Sequence, residues 1–276
     1  METAPVTLRA LIGSAIRHRA LISQLTKRDV VGRYRGSMIG LGWSFLNPLL
    51  MLAVFTFVFS VVFEAKWGVS LQGEQESTGF FAIVLFIGLI IHSFFSEILV
   101  RSPALIIQNS NYVKKVIFPL DILPLTAVLS ALFHAAVSLA VWAMAYIALV
   151  GVPAFHVLYL PLVVLPLITL SLGISFFLAS LGVYLRDIGQ TMGVVSTALL
   201  FLSPVFFPIE QLPEAYRPFF LANPLTFVIQ EARQVLVWKS APDFMGLGVY
   251  MLLALGVLAS GYFWFQKTRK GFADVL

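Results

Sequence analysis

Residues 27–50 read KRDVVGRYRGSMIGLGWSFLNPLL. Lys27, Arg28, Arg33 and Arg35 fall within nine positions, and after them no charged side chain appears until Glu64. Cations set directly against a long apolar run are the signature of the cytoplasmic edge of a membrane span. The stretch thus marks both where the first span begins and which side of the membrane it begins on.

The rest of the chain agrees. It has 276 residues, 59% of them hydrophobic and only 11% charged, with a mean hydropathy of +0.94. A soluble domain carries about a quarter charged residues, so this chain cannot clothe itself in a polar surface, and lipid must cover it. The net charge is +5, but the cations cluster beside apolar runs rather than forming the basic face of a nucleic-acid binder. No cysteine is present, which excludes disulfides and thiolate metal sites. The first 36 residues carry Arg9, Arg17 and Arg19 besides the cluster, with no apolar core or small-residue cleavage site, so no signal peptide is expected.

A spanning helix needs about 20 mostly apolar residues. Six windows qualify: 38–63, 80–100, 123–150, 157–184, 190–209 and 244–266. The fifth is the weakest, because its short apolar core runs into Ser203-Pro204 and Pro208. With the N-terminus inside, only Lys66, Arg217, Arg233 and Lys239 of the 18 lysines and arginines fall outside. That asymmetry places both termini in the cytoplasm, as six crossings require. Residues 6–25 space Leu8, Leu11, Ile12, Ala15, Ile16 and Ile22 as one apolar face, opposite Arg9, Arg17 and Gln24. This reads as a helix lying on the cytoplasmic membrane surface. Between spans five and six, Pro208, Pro213, Pro218 and Pro224 cut a segment too polar to cross and too apolar to hang free. Its backbone needs internal partners.

The expected fold is an all-α integral membrane protein with six transmembrane helices. An N-terminal amphipathic interfacial helix and a partly re-entrant external segment between spans five and six complete it. The divisions are a cytoplasmic arm (1–36), a six-span domain (37–266) and a cytoplasmic tail (267–276). Two series of small residues, Gly36/Gly40/Ser44 and Ser171/Ser175/Ala179/Gly182, are expected to let helices pack closely.

The sequence holds no Gly-Lys before Ser or Thr, so ATP hydrolysis by a Walker motif is excluded. H-E-x-x-H and G-x-S-x-G are also absent. Glu97 is the one carboxylate within the six windows and sits four residues before Arg101, the spacing of a helical ion pair. His92 and His134 are read as structural hydrogen-bonding groups.

RDVVGRYRGSMIGLGWSFLNPLL resembles the opening of permease subunits of the ABC transporters that export O-antigen, capsular polysaccharide and teichoic acid. NSNYVKKVIFPLDILPL (109–125), YLRDIGQ (184–190), SPVFFPIEQLPEAYRPFFLANPLTFVIQEARQ (203–234) and the ending KGFADVL are also similar to that family, in order along nearly the whole chain. Met38-Ile39-Gly40 departs from the leucine the family often has before the glycine.

The resemblance implies a half-transporter of the bacterial cytoplasmic (inner) membrane. Two copies of the chain would form a homodimeric pathway, driven by two copies of a separate nucleotide-binding ATPase. ATP and Mg would be bound by that ATPase and no cofactor by this chain. The cargo would be a glycopolymer on a polyprenyl pyrophosphate lipid, and membrane lipids would surround the pair. The alternatives are a type-2 ABC permease for a drug or small lipid, and a membrane-embedded glycolipid enzyme.

On that reading Arg33 and Arg35, with Lys27 and Arg28, would receive the pyrophosphate headgroup, since guanidinium offers forked donors to phosphate oxygens. The loop at 102–118 would meet the ATPase through Asn109, Asn111, Lys114 and Lys115, with Arg186 and Asp187 as a smaller contact. Spans one and five would line the channel through Phe55, Phe59, Phe201 and Phe206, with Tyr216 near the outer mouth.

Overall fold

The computed structural model describes residues 7–62, 67, 78–113 and 118–276. Among them the regular structure is entirely helical. The longer helices are α1 (Leu8–Arg17), α2 (Arg19–Arg33), α3 (Trp43–Phe55), α4 (Thr78–Arg101), α5 (Ile122–Leu149), α6 (Leu160–Tyr184), α7 (Ile188–Phe201), α8 (Pro224–Leu236) and α9 (Phe244–Thr268).

Five helical stretches are long and apolar enough to cross a membrane: Gly40–Phe59, Gly79–Gln108, Ile122–Leu149, Phe155–Tyr184 and Phe244–Val275. They match five of the six expected windows. The expected fifth span, 190–209, differs. Its helix α7 has 14 residues, about 21 Å at 1.5 Å per residue, against about 30 Å of hydrocarbon. Ser203-Pro204 ends it, because proline disfavours helical backbone in the residue before it. The chain then turns back through short pieces to α8.

This turn is fastened from both ends. Asn223 caps α8 by accepting from the Leu225 amide at 2.9 Å, and its Nδ2 donates to the Leu202 carbonyl at 3.0 Å, beside the end of α7. Arg233 of α8 is 3% exposed. Its guanidinium donates to the carbonyls of Pro204 (2.5 Å), Val205 (2.9 Å) and Val84 (3.1 Å), and lies 4.3 Å from the centre of the Trp67 ring. One side chain thereby satisfies two carbonyls of the turn after the broken helix, as backbone at membrane depth requires, and ties that turn to α4 through Val84. The apolar face of α8 (Leu225, Val228, Ile229, Ala232, Val235) is wholly buried against the bundle.

The series on α6 packs as expected. Ser171, Ser175, Ala179 and Gly182 are buried, and Ser175 accepts from the Ser102 hydroxyl at 2.8 Å. Gly173 touches α9 so closely that a Cβ there would meet the Leu258 backbone at 2.7 Å. The other series is not a packing ridge. Gly36 and Gly40 have φ of +88° and +55° in the turn between α2 and α3, and a Cβ on either would meet nothing within 4 Å. Their role is conformational, since only glycine takes that backbone without strain.

The arm also has its own geometry. It breaks at His18 into α1 and α2. Leu11, Ile22 and Leu25 are buried against the first turns of α5 and the segment after α4, while Ile12 and Ile16 remain exposed. Helix α2 runs beside α5 in the same direction: Ile22 packs on Ile122, and the Tyr34 hydroxyl reaches His134 Nδ1 at 3.4 Å.

Arg233→Met removes the donors of two buried carbonyls of the turn, Pro204 and Val205, each costing about 1–3 kcal/mol when orphaned. The variant is expected to unfold in detergent at least several degrees below the parent. Arg217→Met, whose carbonyl partners Glu210 and Leu212 lie in an exposed loop, is expected to change little. Equal melting of the two variants would refute the clamp.

Candidate functional site: a charged cleft and an aromatic strip

The cations of the arm meet the C-terminal end of α4 in a chain of four charges. Arg33 grips Glu97 with both terminal nitrogens, one of them at 3.2 Å. Glu97 also accepts from Arg101 at 3.0 Å, the expected pair across one helical turn. Arg101 in turn donates to both oxygens of Asp29 at 2.7 and 2.9 Å. Two arginines and two carboxylates thus alternate between α2 and α4. The Arg33 side chain is 35% exposed and that of Glu97 16%, so solvent screens this pair only in part. Burial works against ionisation of Asp29. The Ser130 hydroxyl and the Arg101 guanidinium more than offset it and hold its carboxyl below the ordinary carboxylate range.

Beside this chain opens a cleft of about 860 Å³ lined by Arg28, Asp29, Gly32, Arg33, His92, Ser93, Ser96, Glu97 and Arg101. Three cations face two carboxylates there. The wall towards α7 is made by His92, whose Nε2 lies 3.0 Å from the Ser196 carbonyl, and Ser96, whose hydroxyl meets that of Ser196 at 2.5 Å. His92 and His134 are both structural hydrogen-bonding groups as expected, each with a partner on another helix.

Of the four expected headgroup residues, Arg28 and Arg33 line the cleft. Arg28 also donates to the Tyr112 hydroxyl at 2.9 Å. Lys27 lies on another side of α2, and Arg35 is exposed with no side-chain partner among the described residues. Asp29 and Ser96 were not singled out from sequence, and His92 was not placed beside the arm. One signal was available. A carboxylate inside an otherwise uncharged span requires a cation, and the arm beside it supplies two.

The aromatic residues expected on spans one and five come together. Phe206 lies 5.6 Å from Phe59, 6.3 Å from Phe55 and 6.0 Å from Phe201 between ring centres. The strip continues from Phe59 to Phe81 (5.8 Å) and on to Trp67 (5.4 Å), two rings the sequence reading did not include. Tyr216 is exposed and stands apart from the strip. The first span is barely covered by the rest of the chain, with 11% of its window buried.

The third expected group lies around the C-terminal end of α6. Pro103 packs its backbone on Gly182, and Tyr184 donates to the Thr268 carbonyl at 2.9 Å, so the segment after α4, the turn after α6 and the tail are neighbours. Asn111, Arg186 and Asp187 are exposed there, while Asn109 is half-buried and donates to the Leu105 carbonyl at 2.8 Å. Lys114 and Lys115 lie outside the described residues.

Helices long enough to cross several times, a basic arm bound at one end and a broken hairpin at the other define a multi-pass membrane protein. The chain belongs to the ABC-2 type transporter family, which it matches over residues 20–237. It is 27% identical over 266 residues to the O-antigen export system permease protein RfbA of Myxococcus xanthus, covering 96% of this chain and 98% of that one. A protein of the same name from Klebsiella pneumoniae is 21% identical, covering 93% and 95%. The polysialic acid transport protein KpsM of Escherichia coli is 25% identical, covering 84% and 85%. Relatives of this kind are permease subunits of ABC transporters and are not themselves enzymes.

Because the folded pKa of Asp29 lies below its unfolded value, the ionised group stabilises arm docking above the ordinary carboxylate pKa, about 4. That stability is lost as pH falls through the folded value. Amide exchange of residues 19–33, corrected for intrinsic rates, is expected to stay flat from pH 7 to 5 and to rise below about 4. Asp29→Asn is expected to exchange about tenfold faster at pH 7. A variant protected as well as the parent would contradict the reading.

Proposed function

We propose that the chain is the transmembrane permease subunit of an ATP-driven exporter that moves a polysaccharide on a polyprenyl pyrophosphate lipid across the bacterial inner membrane. The observation that carries this reading is the aromatic strip where the first span meets the end of α7, in a span little covered by the rest of the chain. Flat apolar rings stack on sugar faces weakly and one after another, which suits a polymer that must slide. A second copy of the chain, facing the first across this strip, would close it into a channel. The printed names of the relatives support a glycan cargo.

The six crossings are completed in this reading by α7 together with the turn that Arg233 fastens. Both termini are cytoplasmic, and α1 rests its exposed Ile12 and Ile16 on the membrane surface. The pyrophosphate enters at the charged cleft, where Arg28 and Arg33 have donors to offer; Arg35, exposed two residues beyond Arg33, adds a further cation, while Lys27 lies on another side of α2. Asn111, Arg186 and Asp187, with Lys114 and Lys115, meet two copies of an ATPase that binds ATP and Mg.

Phe55→Ala/Phe59→Ala is expected to lower surface polymer at least several-fold in a host lacking its own permease, at unchanged chain level and ATPase association. Arg35→Gln is expected to lower export without loosening the arm, because it breaks no ion pair among the described residues. Normal export by the phenylalanine pair would remove the strip from the pathway.

A further inference from the structure

On another side of α2 from the charged cleft lies a second groove, of about 700 Å³, between α2, Leu41 at the start of the first span, and α5. We propose that it is a binding site for one anionic phospholipid, separate from the path of the transported cargo.

The walls are apolar. Val30 and Val31 face Leu129 and Phe133, with Leu41 closing the lower end. Val31, Leu41, Leu129 and Phe133 stay exposed, so a hydrocarbon chain has surface to cover. The depth suits a lipid. Leu125 and Phe133 lie eight residues apart on α5, about 12 Å along the axis, and the groove reaches Leu41 where the apolar run of the first span starts. It therefore straddles the boundary between headgroup and hydrocarbon.

The polar lining suits a phospholipid and little else. Arg19 and Lys27 line the groove, both exposed, and its lining contains no carboxylate. The neighbouring cleft sets two carboxylates, Asp29 and Glu97, against its three cations; among the described residues this groove's lining sets none against its two. Both side chains have apolar stems long enough to lie along the groove with the charge at the headgroup. A phosphodiester placed between them supplies the missing charge.

Thr26 adds an independent sign. Threonines inside these helices bond back to the carbonyl four residues earlier, as Thr126, Thr169 and Thr197 do. Thr26 lines the groove, and its hydroxyl, buried just behind the wall, has no such partner among the described residues. A glycerol ester carbonyl beside the phosphate would accept its proton. Phosphate on the two cations, ester on Thr26 and acyl chain on the valines and Phe133 together describe a diacyl phospholipid with a net negative head. A lipid seated there would press α2 against α5, the side opposite to the cleft that α2 also builds.

The test is native mass spectrometry of the full chain after exchange into phosphatidylglycerol or phosphatidylcholine nanodiscs and brief detergent washing. One phosphatidylglycerol retained per chain is expected, with a preference over phosphatidylcholine of about tenfold. Arg19→Gln/Lys27→Gln is expected to abolish that preference, and Leu129→Trp, which fills the groove and leaves the charges, to abolish retention. Arg9→Gln/Arg17→Gln removes the same charge from α1 and is expected to retain the lipid as the parent does. Equal retention of the two lipids would overturn the site. So would an equal loss in the Arg9/Arg17 pair, which would mean general surface charge, or normal retention by the tryptophan variant.

Discussion

The contact on which the arm and the half of the bundle beside it depend is the bidentate grip of Arg33 on Glu97, extended through Arg101 to Asp29. Glu97 sits in a span otherwise free of acid, where an unpaired carboxylate would be costly. Arg101, one turn on, answers part of its charge, and the arm answers the rest. The acid therefore fixes where α2 lies, and α2 fixes the rest of the arm, the turn through Gly36 and Gly40, and the point at which the first span enters the membrane. Hydrogen bonds to charged groups are worth about 1.5–3 kcal/mol each, less for Arg33, which is a third exposed. Four such groups in series suffice to seat a short helix that buries only a few side chains.

The outer half depends on a different cation. Arg233 has no such acid in its hydrogen bonds; it bonds three backbone carbonyls and stacks on Trp67. This solves a problem of the helix break. A helix that stops at about two-thirds of the membrane thickness leaves carbonyls with no water to meet, and one buried guanidinium meets them with a rigid fork. The two arginines thus do different work. Arg33 joins two helices through charge, and Arg233 joins α8 to α4 and to the turn after α7 through backbone carbonyls.

Much of this was legible in the sequence, and the limits are physical. Long apolar windows fix spans because lipid permits no other backbone, so five were plain. The weakness of the fifth was also plain from Ser203-Pro204. The helical spacing of Glu97 and Arg101 gave their pair correctly, because a contact within one helix is set by its period. Arg33–Glu97 and Arg233–Val84 join residues 64 and 149 apart in the chain, and no period encodes those. Gly36 and Gly40 were misread because spacing alone does not separate a packing ridge from two left-handed turn residues. The rings of Phe55, Phe59, Phe201 and Phe206 were chosen for their concentration, and the fold does bring them together. Phe81 and Trp67 extend the strip from a helix whose facing the sequence could not give.

The central claim is that the arm is held by a specific ion pair and not by general attraction of cations to a membrane. A double-mutant cycle on Arg33→Gln and Glu97→Gln, read by amide exchange of residues 19–33 in neutral-lipid nanodiscs, tests it most directly. The account predicts a coupling energy of about 1–2 kcal/mol, with the double variant little worse than either single one. Strictly additive effects, or no effect from Glu97→Gln, would contradict it.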